Sequence, residues 1–131
     1  MDIRKLLPLR ATSPTQQQGR NAEARAQAWL ERQGLRLIVA NYRCRQGEID
    51  LIMRHGEVLV FIEVRERSSN GYGGAAASVT RRKQEKIIAT AQHFLQHQPG
   101  FSQAPARFDV VALNPGSADT PIDWLQAAFT L

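Results

Sequence analysis

Residues 47–67, GEIDLIMRHGEVLVFIEVRER, constrain the fold more than any other part of the chain. Two apolar-rich runs flank the dipeptide Gly56-Glu57, which predicts an antiparallel β-hairpin with a two-residue turn. Strand alternation gives the first run one face with Glu48, Asp50 and Ile52 and another with Ile49, Leu51 and Met53. The second run begins apolar on both faces, and one of these faces becomes charged towards its end.

The position of the turn decides which charged residues meet across the hairpin. With Gly56-Glu57 at the turn, Asp50 lies directly across from Glu63. With His55-Gly56 at the turn, Asp50 reaches Glu63 diagonally on the same face. A three-residue turn sends Glu63 to the opposite face. Two of the three registers therefore bring the two carboxylates together.

Facing carboxylates repel each other unless a cation lies between them. Mg²⁺ or Mn²⁺ is bound by such oxygen pairs and polarises a phosphoryl oxygen. In the first register Glu48 faces Arg65, a cation that can offset transition-state charge. The alternative interpretation is a solvated hairpin face with cross-strand ion pairs, formed by Glu48, Asp50, Glu63 and Arg65.

Length and composition limit the classes of protein that this chain can represent. The 131 residues suit one domain, and the single cysteine, Cys44, excludes an intramolecular disulfide and a cysteine-based metal cluster. The sequence contains no segment long enough to span a bilayer and no signal-peptide core, so we expect a cytoplasmic protein without a membrane partner.

The charge distribution favours a nucleic-acid partner, with DNA preferred over RNA. The net charge is +5, and residues 1–46 hold nine basic and three acidic side chains. Basic groups that flank an acidic centre suit a phosphodiester substrate. The candidate nucleic-acid-binding residues are Arg43, Arg45, Tyr72, Arg81, Arg82, Lys83, Gln84 and Lys86. Solvated charge and an ordinary loop tyrosine are the alternative interpretations.

The remaining chain predicts a small α/β domain. We expect a mobile tail over residues 1–15 and a single domain over residues 16–131. The predicted elements are a helix over 16–33, a strand over 35–45, the hairpin, a flexible loop over 68–77, a helix over 79–96 capped by Ser78, a strand over 106–113 and a short strand within 121–131. Asp109 interrupts an apolar strand and needs a partner, either a helix terminus or Arg107. His93 and His97 are interpreted as surface or core residues.

The motifs GRNAEARAQAWL, NYRCRQGEIDLI, FIEVRER, VTRRKQEKI and RFDVVAL resemble the YraN family of small bacterial proteins over residues 19–129. That resemblance implies the PD-(D/E)xK nuclease fold, which is restriction-endonuclease-like and Holliday-junction-resolvase-like. The expected architecture has three α/β/α layers around a mixed sheet, in the order α-β-β-β-α-β-(β). The resemblance also allows a homodimer.

Site roles follow from the resemblance by position. Asp50 and Glu63 correspond to the two metal-binding acids of the motif, and Glu23 corresponds to an acid on the first helix of related members. Arg65 stands where the motif has lysine, which removes help in deprotonating water and leaves charge stabilisation. The expected catalytic set is Asp50, Glu63, Arg65 and Glu23, and the expected metal ligands are Asp50, Glu63 and Glu23. The implied activity is a Mg²⁺- or Mn²⁺-dependent endonuclease on structured or branched DNA. The alternative is a catalytically silent module that binds nucleic acid or a protein.

Overall fold

A computed structural model of the chain describes residues 14–66, 79–113 and 122–130, with side chains from Asn21 onward. Its elements are α1 (Pro14–Arg32), β1 (Arg36–Cys44), β2 (Gly47–His55), β3 (Val58–Glu66), α2 (Arg81–His97), a 3₁₀ turn (Pro99–Phe101), β4 (Ala106–Leu113) and β5 (Asp123–Phe129). The five strands form one sheet in the order β1-β2-β3-β4-β5. The β3–β4 pair is parallel and the other pairs are antiparallel.

The two helices cover opposite faces of the sheet, which confirms the predicted three-layer α/β/α fold. Ala22, Ala26 and Leu30 of α1 pack on one face, against the cluster Leu51, Met53, Val60, Ile62, Val111 and Leu113. Ile87, Ala91 and Phe94 of α2 pack on the other face, against the cluster Ile49, Ile52, Leu59, Phe61, Phe108 and Val110. The helix α2 lies in the crossover between parallel strands β3 and β4, as a βαβ connection requires.

The hairpin adopts the first of the three predicted registers. His55 pairs with Val58, so Gly56-Glu57 forms the turn, and the regular pairing continues to Leu51↔Ile62. Gly56 has φ of +63°, a left-handed conformation that glycine adopts without steric cost. The two alternative turns, His55-Gly56 and a three-residue turn, are therefore wrong.

The predicted alternation along β2 is wrong at its centre. Ile49 and Ile52 both pack on the α2 face, whereas Leu51 and Met53 pack on the α1 face. Strict alternation would place Ile49 and Leu51 on the same side. The interruption falls at Asp50, whose side chain hydrogen-bonds to the Val64 N–H on β3. A tertiary contact therefore overrides the two-residue period at this position.

Several predicted boundaries shift by a few residues. Helix α1 begins at Pro14, so the last two residues of the predicted tail over 1–15 are helical. Helix α2 begins at Arg81, and the hydroxyl of Thr80 accepts the Lys83 N–H at 3.2 Å, so the prediction of Ser78 as the cap is wrong. The rest of the tail and the loop over 68–77 lie outside the described residues. Neither described helix is long and apolar enough to cross a membrane.

Asp109 is fully buried and ties the edge strand β5 to β4. Arg107 Nε donates to Asp109 Oδ1 at 3.0 Å, which confirms the predicted partner. Trp124 Nε1 donates to Oδ2 at 2.8 Å, and the Ala127 N–H donates to Oδ1 at 2.9 Å. Because buried carboxylates need such donors, this network holds β5 in place.

Candidate functional site

Three carboxylates from two elements form the acidic cluster, which consists of Glu23 on α1 and Glu48 and Asp50 on β2. One oxygen from each lies within 4.8 Å of one oxygen of the others. The interrupted alternation of β2 brings Asp50 to the α1 side of the sheet, where Glu23 projects from the helix. The structure therefore unites two of the three predicted metal ligands with Glu48.

Hydrogen bonds hold the acidic cluster in position. Asp50 Oδ2 accepts the Val64 N–H at 2.8 Å, which anchors this side chain to β3. Glu23 is hydrogen-bonded to the side chains of Asp50 and Asn41. Asn41 has φ of +54°, a left-handed conformation that asparagine tolerates better than most residues.

The proximity of these acids alters their proton affinity. Burial is the main cause that raises the pKa of Asp50 to about 9, and the charges of Glu63 and Glu23 raise it further. Burial also raises the pKa of Glu23, with contributions from the charges of Glu48 and Glu63. At neutral pH the Asp50 carboxyl of the folded protein therefore keeps its proton.

The donor set of the acidic cluster fits a hard divalent cation. All three donors are carboxylate oxygens, which Mg²⁺ and Mn²⁺ prefer. The three donor oxygens of the acidic cluster all lie within 4.8 Å of one another.

Glu63 lies beside the acidic cluster and faces cations. Its Oε1 is 2.8 Å from Lys83 Nζ and 3.7 Å from Arg65 Nη1, and its side chain is only 6% exposed. Its charge reaches the acidic cluster, since it raises the pKa of Asp50 and of Glu23. Metal binding by Glu63 stays a prediction.

Basic side chains surround the acids on two sides. Arg43 on β1 contacts Glu48, with its Nε 2.8 Å from Oε2, and its side chain is largely exposed. Arg45 is exposed in the turn between β1 and β2. Lys83 approaches from α2 and contacts Glu63. Of these predicted phosphate-binding residues, Arg43 therefore contacts the acidic cluster and Lys83 contacts Glu63.

The other predicted nucleic-acid contacts are more scattered. Arg81, Arg82 and Lys86 are exposed along α2, and Arg81 Nε lies 3.9 Å from Glu85 Oε1. Gln84 Nε2 donates to the Val79 carbonyl at 3.1 Å, which gives this side chain a role at the start of the helix. Tyr72 lies outside the described residues.

Sequence reasoning missed one residue of the site, and the structure gives two others contacts that were not predicted. Asn41 carried no recognisable signal, because its contact with Glu23 depends on the local backbone of β1. Glu48 was expected opposite Arg65, but it belongs to the acidic cluster and binds Arg43. Nucleic-acid binding by Lys83 stays a prediction, and the structure adds its contact with Glu63. The sequence feature that could have indicated this contact is the position of Lys83 in the first turn of a predicted helix.

Comparison with known proteins reveals extensive similarity to an uncharacterised family. The model of the uncharacterised protein family UPF0102 matches residues 22–113, which include the acidic cluster. A UPF0102 protein of Pseudomonas syringae pv. syringae is 51% identical over 119 residues, covering 89% of this chain and 96% of the relative. A UPF0102 protein of Aeromonas hydrophila is 54% identical over 112 residues, covering 85% and 83%. A relative of Cupriavidus necator is 55% identical over 117 residues, covering 88% and 84%.

Proposed function

The chain belongs to the bacterial family UPF0102, the YraN family that its motifs resemble, and from this premise we propose that it is a nucleic-acid-binding, metal-dependent endonuclease. Its substrate is structured or branched DNA, and the cleaved bond is a phosphodiester. The fold is compatible with a restriction-endonuclease-like core, although fold alone does not establish an activity.

The convergence of Glu23, Glu48 and Asp50 is the observation that carries this proposal. Their oxygens lie within 4.8 Å of one another, and the pKa of Asp50 is raised to about 9. Such crowding of acids is unfavourable unless a proton or a cation neutralises them. Ionisable groups with strongly raised pKa values at a convergent site favour a functional role over a structural one.

Glu23, Glu48 and Asp50 would hold Mg²⁺ or Mn²⁺, and Glu63 is a further candidate ligand. When bound, such an ion polarises a phosphoryl oxygen and lowers the pKa of water. To hold the ion, Asp50 would have to lose its proton to solvent, and the Val64 N–H would keep the resulting carboxylate in place. Arg65 donates to phosphate oxygens and offsets their charge.

The basic residues of β1 and α2 would bind the DNA backbone. Arg43 and Arg45 lie on the β1 side of the acids, and the exposed residues Arg81, Arg82 and Lys86 lie along α2. Contacts from these cations to phosphates give affinity that is largely independent of sequence. Such binding suits an enzyme that recognises the shape of a branched substrate.

A cleavage assay on labelled branched DNA tests this function. The wild-type protein should cut the DNA with Mn²⁺ or Mg²⁺ and not with EDTA, and Asp50→Asn should reduce the rate at least 100-fold, a loss of roughly 3 kcal/mol. Glu57→Gln, which changes an exposed acid at the hairpin turn, should cleave like wild type. Equal rates for wild type and Asp50→Asn would refute the proposed mechanism.

A catalytically silent binding module is the second candidate, and two ion pairs favour it. Arg43 contacts Glu48, and Lys83 contacts Glu63, so two of the acids already have cationic partners within the protein. Arg65 also stands where the motif has lysine. Salt-sensitive DNA binding that is unchanged by EDTA and by Asp50→Asn, without cleavage, would support this candidate.

A further inference from the structure

Glu63 is a buried carboxylate with two cations from different elements on the same oxygen. Lys83, in the first turn of α2, places Nζ 2.8 Å from Glu63 Oε1. Arg65, two residues along β3, places Nη1 3.7 Å from that oxygen. The nearer cation, at hydrogen-bond distance, is therefore the helix lysine and not the arginine at the motif position.

Burying the Glu63 carboxylate costs free energy, and a half-exposed lysine offsets only part of that cost. Phe61 and Ile62, the residues before Glu63 on β3, are buried in the apolar core, so packing alone would favour an apolar residue at this position. Removing one partner of such a pair leaves an uncompensated buried charge. The pairing of Glu63 with Lys83 therefore points to a role in the neighbouring site.

Glu63 links Lys83 to the acidic cluster. Asp50 and Glu63 lie just beyond the last regular pair of the hairpin, Leu51↔Ile62. The charge of Glu63 raises the pKa of both Asp50 and Glu23, which shows that its field reaches these carboxyls. The positive charge of the Lys83 ammonium group, on the α2 side of the sheet, offsets part of the negative charge of Glu63.

Lys83 is also accessible to a ligand. Its side chain is 42% exposed although its Nζ contacts a carboxylate that is 6% exposed. An ammonium group has three donors, so one can bind Glu63 while another reaches a phosphate oxygen. The flexible stem of lysine permits this movement more readily than a planar guanidinium does.

Building on the proposed function, we propose that Lys83 supplies from α2 the ammonium group that the motif position held by Arg65 lacks. It positions the carboxylate of Glu63 and donates to the substrate phosphate beside the acidic cluster. Arg65 has the lesser role of general charge stabilisation. The cation that contacts the substrate phosphate therefore comes from α2, whereas the motif places it on β3.

The test compares Lys83→Met with Arg65→Met in full-length protein. At saturating Mn²⁺, Lys83→Met should lower the rate of DNA cleavage at least 100-fold, and Arg65→Met should lower it by about tenfold or less. Calorimetry should show that Lys83→Met binds Mn²⁺ as tightly as wild type or up to about tenfold more tightly, because a nearby positive charge is gone. The thermal midpoint of Lys83→Met should fall, because the buried Glu63 loses its nearest cation, so the rates and the Mn²⁺ affinities are compared at a temperature where both variants are folded. Loss of Mn²⁺ binding together with the rate in folded Lys83→Met would indicate a purely structural lysine and overturn the proposal.

A second measurement uses binding of the branched DNA in EDTA, where no cleavage is expected. Lys83→Met should weaken this binding about tenfold, whereas Arg36→Met, which removes one exposed charge at the start of β1, should weaken it less than twofold. Equal affinity of Lys83→Met and wild type would overturn the assignment of Lys83 to phosphate.

The outcomes separate this assignment from the proposed function. A wild-type protein that binds neither Mn²⁺ nor DNA would overturn both. If the wild type cleaves DNA and Lys83→Met cleaves at a rate within threefold of it, the Lys83 assignment alone is overturned. The same holds if Arg65→Met lowers the cleavage rate more than Lys83→Met does. If the wild type binds DNA without cutting it, the enzymatic proposal fails and the affinity in EDTA decides the assignment of Lys83 to phosphate.

Discussion

The backbone N–H of Val64 donates a hydrogen bond to Asp50 Oδ2 at 2.8 Å. This bond links the side chain of one hairpin arm to the backbone of the other, beyond the last regular pair, Leu51↔Ile62. An asparagine at position 50 can accept the same bond through its amide oxygen. Asp50→Asn therefore removes the charge of this group while keeping its anchor.

The raised pKa of Asp50 predicts that stability falls as pH rises. The pKa is about 9 in the folded protein and is near its ordinary value of 3.8 in the unfolded chain. Between about pH 4 and pH 9 the folded protein therefore holds a proton that the unfolded chain has released. The free energy of unfolding decreases across this window by up to about 1.4 kcal/mol per pH unit.

Urea denaturation of wild type and Asp50→Asn at several pH values measures this effect. The stability advantage of Asp50→Asn should grow from pH 6 to pH 8, because this variant lacks the titrating group. Glu57→Gln is the matched control, and its curve should run parallel to that of wild type. Parallel curves for wild type and Asp50→Asn would argue against a raised pKa at Asp50.

Because Asp50 is protonated at neutral pH, we expect the affinity for metal to depend on pH. Binding of Mn²⁺ must displace the proton of Asp50 below about pH 9. We expect an apparent affinity that rises up to about tenfold per pH unit between pH 6 and pH 8, with release of one proton. Calorimetry in buffers of different ionisation enthalpy measures the released protons directly, and an affinity that is constant over this range would count against the account.

Loss of the Asp109 network should destabilise the fold without touching the acids. Asp109→Ala removes a fully buried carboxylate and leaves Arg107 without its partner, at an expected cost of about 3–5 kcal/mol. Urea denaturation measures this loss, and the fluorescence of Trp124 should change because its indole N–H loses an acceptor. A cost below about 1 kcal/mol would show that the network does not hold β5 in place.

The basic face of α2 predicts a definite salt dependence of DNA binding. Replacement of Arg81, Arg82 and Lys86 by Met should lower the slope of log affinity against log salt by about 0.9 for each residue that contacts phosphate. The slope of Arg36→Met should match that of wild type. Fluorescence anisotropy at several salt concentrations provides the slopes, and an unchanged slope in the triple variant would place the DNA elsewhere.

Local patterns predicted the elements of this fold well. The apolar run of 106–113 coincides with β4, because a strand buried on both faces has a clear signal. The hairpin turn was predicted among three alternatives, and the positive φ of Gly56 explains which one formed. The positions of Asp50 and Glu63 on adjacent strands followed from that register.

The details of the site depended on contacts that sequence patterns do not report. Asp50 leaves the regular alternation because it bonds to Val64 and Glu23, which are distant in sequence. Lys83 reaches Glu63 because the crossover between β3 and β4 delivers the start of α2 to this place. Side chains from separate elements met through tertiary packing, which no local period encodes.

Calorimetric titration of Mn²⁺ into wild type and Asp50→Asn at pH 8 tests the central claim most directly. We expect stoichiometric binding to wild type, loss of at least about 30-fold in affinity for Asp50→Asn, and wild-type affinity for Glu57→Gln. Wild-type protein that binds no Mn²⁺, or an Asp50→Asn variant that binds it equally well, would contradict the claim that the acidic cluster is a metal site.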